Sequence, residues 1–164
     1  MLTKAFQECL IDVHRGEVLG EAAFESMLGA ATNAQERYVI GSLLQLETEG
    51  KAIVRPLLVR LGLSVLDPDG HAAGSAGGEQ LSQLPWIERF AALRDLTKAN
   101  YLPRYLELAT LVSADEEPEA ARIAAFMGTH ERAVVEIADN IVGGKSDPAA
   151  PVVALLHFPL PRLG

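Results

Sequence analysis

A histidine at a core position of a helix, followed at once by a glutamate, is the feature of this chain that most asks for chemistry. In the stretch FMGTHERAVVEIADN, residues 126 to 140, Phe126, His130 and Val134 share one helical face with Ile141, and Ile123 and Met127 lie beside them. Glu131 follows directly and joins that face only in a shifted frame. Two glutamates stand at matching height elsewhere. Counting about 15 residues each way from two expected helix turns brings Glu17, Glu47, Asn100 and His130 to one level, with Glu21 one turn beyond Glu17. A polar layer inside an apolar bundle needs partners, because a buried carboxylate left unpaired is costly. Three chemistries fit. His130 can donate a ring N–H to Glu17 or Glu47 and fix helix register. Glu17 or Glu21, Glu47 and His130 can hold one divalent ion, since two carboxylates and an imidazole bind iron, manganese or zinc with positions left for water. The layer can also floor a pocket for a small organic ligand, with Asn100 and Tyr101 at its edge as cofactor contacts. Lys51, one turn after Glu47, favours the purely structural choice if it neutralises that carboxylate. Tyr101 and Tyr105, at helical spacing, read first as core, and His14 with Glu17 reads as a surface pair.

The elements that must position these groups follow from periodicity. A first apolar stripe runs from about Thr3 to Leu28 through Phe6, Leu10, Val13 and Phe24, and Gly29 closes it. Asn33 with Glu36 is a capping-box signature for a second helix through Val39, Leu43, Leu46, Leu57 and Leu61, kinked at Pro56 and ended by Gly62. Residues 62 to 85, GLSVLDPDGHAAGSAGGEQLSQLP, are rich in turn chemistry and glycine and read as a long surface connection without a regular element. A third helix starts at Pro85 and breaks near Ala99 ahead of Pro103. A fourth runs from about Asp115 to Val142, with Ser113 and Glu116 as its capping box and Gly143 and Gly144 as its stop. Short links within each pair demand antiparallel hairpins, whereas the middle link of roughly 24 residues can cross a bundle about 40 Å long. The expected fold is therefore all-α: a ferritin-like antiparallel four-helix bundle, two helical hairpins joined by one long crossover, over residues 1–144. Residues 145–164, with prolines at 148, 151, 159 and 161, make an extended C-terminal tail whose apolar residues pack on the bundle or on a partner.

The stretches LLQLETEGKAIVRPLL, residues 43 to 58, and THERAVVEIADNIVGG, residues 129 to 144, resemble the second-helix Glu region and the His-Glu ending of uncharacterised ferritin-like and rubrerythrin-like proteins. The resemblance covers residues 3 to 143. It implies one Glu on each of two helices and Glu-x-x-His on each of the other two, around two metal ions. Only part of that set is present. Glu47 is followed three residues later by Gly50, and His130 is preceded three residues earlier by Met127. The resemblance thus implies a degenerate centre of Glu17, Glu21, Glu47, His130 and Glu131, without ferroxidase competence, in a small-ligand binder, a binder of a single iron or manganese ion, or an assembly module. The alternative it carries is a metal-dependent oxidoreductase of the dimetal-carboxylate type, and it also implies a homodimer.

Composition narrows the classes. The 164 residues carry a net charge of −8, so a phosphate backbone is repelled and nucleic acid is not an expected partner. Hydrophobic residues make up 49% and aromatics only 5%, a filling suited to helices. Cys9 stands alone, which excludes an internal disulfide and fits a reducing compartment. No apolar run is long enough to span a membrane and the N-terminus lacks a signal-peptide core, so a cytoplasmic location is expected.

Overall fold

The computed structural model describes residues 1–162, which fold into helices joined by short links, with no strand among them. Helix α1 spans Lys4–Gly29 and starts where Thr3 accepts the Phe6 amide. Helix α2 spans Ala34–Arg60 and runs on through Pro56; Asn33 caps the Glu36 amide at 2.9 Å, and the Glu36 carboxylate returns to the Thr32 amide at 2.8 Å. The reciprocal half of the expected capping box therefore falls one residue early. Helix α6, Pro118–Val142, begins at an N-cap Glu117 that makes no side-chain capping bond, so the expected Ser113–Glu116 box does not form.

The largest departure from expectation lies in the glycine-rich connection. Residues Pro68–Ser82 form a helix, α3, opened by Asp67 accepting the Gly70 amide at 2.8 Å. Each internal glycine costs helix stability of roughly 1 kcal/mol relative to Ala, so local propensity argues against this helix. Packing overrides that propensity. Gly70, Gly74 and Gly78 recur every fourth residue and are buried, and a Cβ at Gly74 or Gly78 would overlap the backbone of Leu19 or Ala23 in α1. Bare glycine faces let α3 lie against α1 at backbone contact distance, which spreads dispersion contacts along the whole helix.

The third expected helix is divided into α4, Trp86–Asn100, and α5, Leu102–Thr110, with the break at Tyr101, two residues ahead of Pro103. Helix α1 packs on α2, and α4 and α5 pack on α6. The tail is not wholly extended, since Ala150–Val153 makes one helical turn, α7. It lies on its own bundle: Ala149 and Val152 join the core, and the Glu49 carboxylate accepts the His157 and Phe158 amides at 2.7 and 2.9 Å. Its last two residues, 163 and 164, fall outside the described residues.

The apolar core is split in two. One cluster gathers Phe24, Met27, Leu43, Phe90 and Ile137, and the other Phe6, Leu10, Val54, Leu57, Leu108 and Met127. Between them, at mid-length of α1, α2 and α6, sit Glu17, Glu47, His130 and Glu131, all buried. No helix among the described residues is long and apolar enough to cross a membrane.

Candidate metal centre and the cavity beside it

Glycines on α1 and α2 make the room for this layer. A Cβ at Gly50 would overlap Glu17 Oε2, one at Gly16 would overlap the Tyr105 hydroxyl, and one at Gly20 would stand 2.6 Å from Glu47 Oε2. The carboxylates thus enter spaces that any side chain would close. Glu17, fully buried on α1, accepts the Tyr105 hydroxyl on Oε1 at 2.7 Å. Its Oε2 lies 3.1 Å from His130 Nε2, which also stands 3.3 Å from the Leu46 carbonyl. On the other side of the ring, Nδ1 is 3.7 Å from Glu131 Oε2, beyond hydrogen-bond reach. Glu17 Oε2 and His130 Nδ1 are buried with no hydrogen-bond partner. Glu47 and Glu131 make no hydrogen bond with any described residue, although only 3% and 5% of each is exposed.

The electrostatics follow from this crowding. Burial raises the Glu47 pKa well above its ordinary value, and the nearby Glu17 charge adds to the rise. Burial likewise raises Glu131, against the pull of His130. For His130 burial works downward, but Glu17, Glu131 and Glu47 together outweigh it and hold the imidazole pKa well above its ordinary value. The Tyr105 phenol is raised well above the usual range by burial and by Glu17. The layer is short of positive charge as it stands: three carboxyl groups face one imidazole, and no Lys or Arg pairs with them among the described residues.

Glu17, His130 and Glu131 each offer a donor atom, and these lie within 4.8 Å of one another. Glu47 stands beside this trio. No family model, curated protein or solved structure matches the chain. The remaining expected site residues are elsewhere. Glu21 is ion-paired with Lys51 at 3.1 Å, so Lys51 neutralises Glu21 and not Glu47. Glu49 turns outward to the tail, which settles that Glu47 is the inward carboxyl. Asn100 is exposed, and its amide bonds back to the Leu96 carbonyl of its own helix. Counting residues from a turn fixes height along a helix and not the direction around it, and Asn100 has the right height on the wrong side. His14 is buried, not at the surface, and burial and Lys51 lower its pKa. The role of Tyr105 escapes sequence reasoning because its hydroxyl partner, Glu17, is on a helix far away in the chain.

A cavity of about 360 Å³ reaches this layer from outside. Leu19, Phe24, Leu81, Leu93 and Val134 make apolar walls, and Glu47, Glu131, Thr97, Tyr101 and Tyr105 bring polar groups to it. The glycine face of α3 forms one side at Gly74 and Gly77.

Proposed function

We propose that the protein is a ferritin-like bundle that binds one divalent iron or manganese ion between Glu17, His130 and Glu131. The observation that carries the reading is the buried trio of Glu17, His130 and Glu131, whose ligand atoms lie within 4.8 Å of one another, with Glu17 Oε2 left without a hydrogen-bond partner. Three buried carboxyls that share a single imidazole, with no Lys or Arg paired to them among the described residues, are what a divalent ion would neutralise. A donor set of carboxylate oxygens and one imidazole, without sulfur, suits iron and manganese. Bound there, the ion would supply Lewis acidity or redox chemistry; Tyr105 would orient Glu17, and the apolar walls would limit water.

A two-metal ferroxidase is disfavoured. The position of the second-helix histidine is Gly50, and its empty side is filled by the Glu17 carboxylate. Met127 offers no hard ligand, and α4 and α5 bring Tyr105 instead of a carboxylate. The cavity beside the donors favours a second reading, a metal-dependent oxidoreductase with an organic co-substrate, which would consume oxygen or peroxide only when loaded. The homodimer implied by the resemblance is a separate proposal, checked by mass measurement in solution.

The test is elemental analysis of protein purified without chelator or affinity tag after iron and manganese supplementation. On the order of one equivalent per chain is expected, and it should be lost in His130→Ala while the helical circular dichroism is retained. A metal-free wild-type protein under those conditions would refute the reading.

A further inference from the structure

We infer that the cavity binds a compact apolar molecule carrying a protonated amine, with the ammonium on Glu47. Glu47 is 3% exposed, lines the cavity and makes no hydrogen bond with any described residue. A buried carboxyl in that state needs a hydrogen-bond partner, and the cavity is where one can arrive. Thr97, also buried, and Tyr101 line the same space with hydroxyl groups that have no partner among the described residues, so a head group with several N–H bonds has further acceptors.

Charge decides the sign of the head group. No Lys or Arg side chain lines the cavity, so an anionic head group finds no counter-ion there, whereas an amine can take the proton that the buried Glu47 carboxyl holds and pair with it as an ammonium. Size and polarity decide the body. About 360 Å³ lies at the small end of ligand pockets, and walls of Leu19, Phe24, Leu93 and Val134 favour one ring or a short chain over a polyamine. Exposed Ala73, Gln80 and Leu96 mark the mouth, between α3 and α4. The inference stands apart from the metal reading, because Glu47 is not one of the three converging donors.

Three probes of matched shape test it by calorimetry on the full chain as purified: 2-phenylethylamine, the neutral 2-phenylethanol and the anionic 3-phenylpropanoate. The amine should bind about tenfold more tightly than the alcohol, the scale of a charge-assisted bond, and the carboxylate should not bind. Glu47→Gln should erase the amine's advantage and leave the alcohol within about threefold of its wild-type affinity. Gly77→Leu provides a second variant that does not touch the polar layer. A Cβ there meets nothing within 4 Å, leucine favours the helix over glycine, and the added side chain should occlude the cavity and weaken both amine and alcohol. Alcohol binding as tight as amine binding would overturn the choice of an amine while leaving a pocket. Absence of binding by any probe, or amine binding untouched by Gly77→Leu, would overturn the site itself. None of these outcomes bears on metal content, which the elemental analysis decides separately.

Discussion

Raising the pH should destabilise the metal-free protein, and the slope follows from the buried layer. Burial, and for Glu47 the Glu17 charge, hold the Glu47 and Glu131 carboxyls above the ordinary value of 4.5. Glu17, Glu131 and Glu47 hold His130 above its ordinary value of 6.5 in spite of burial. In each case the folded chain keeps a proton that the unfolded chain releases. The corresponding stability is complete below the ordinary values and is lost as pH rises toward the folded ones. His14 works in reverse: its pKa is lowered, so its contribution is present above 6.5 and lost as pH falls. The Cys9 thiol, pushed by burial to about 11 from 9.0, adds a further loss only in more alkaline solution. Between about pH 7 and 8 the layer therefore acts almost alone. Each proton that the folded layer holds and the unfolded chain releases lowers stability by roughly 1 kcal/mol per pH unit. For a domain of this length each kcal/mol moves Tm by roughly 2–4 °C, so Tm should fall by about 2–4 °C per retained proton over the unit. The assay is thermal unfolding by circular dichroism in chelator, repeated with manganese. Because metal ligands must be deprotonated, the gap between the two curves should widen with pH. A chelated protein whose Tm is flat or rises between those values would refute the reasoning, since it would mean that the layer is already ionised and satisfied without an ion.

Gly50→Ala should displace the Glu17 carboxylate, cost about 1–3 kcal/mol in urea unfolding and abolish metal uptake, as its Cβ would occupy the Glu17 Oε2 position. On α3 two glycines should behave oppositely. Gly74→Leu would drive a side chain into the Leu19 backbone at a cost of about 1–3 kcal/mol, whereas Gly77→Ala should stabilise by about 0.5–1 kcal/mol in the same measurement. Glu49→Ala should speed hydrogen exchange at the His157 and Phe158 amides and change global stability by less than about 1 kcal/mol, because those bonds lie at the surface.

Periodicity locates α1, α2, α6 and the interrupted third helix, because long apolar stripes with caps and glycine stops carry a strong local signal. It fails at α3. There the determinant is the approach of two backbones, and glycine's local preference points the other way from its packing value. The inward carboxyls are approachable by counting, since Glu17, Glu47 and His130 lie at equal distances from the turns. Direction around the helix is not, which separates buried Glu131 from exposed Asn100. Lys51 can be matched with a carboxylate from sequence, but choosing Glu21 over Glu47 needs the angle between α1 and α2.

Because α3 is at once the strap between the two hairpins and a wall of the cavity, pocket shape is separable from bundle architecture. Gly77 and Ala73 face that space from a segment that contributes little to either apolar cluster. Substitutions there can alter the volume and chemistry of the binding space while α1, α2, α4, α5 and α6 keep their packing, so specificity can diverge, in nature or by engineering, under weak constraint from folding.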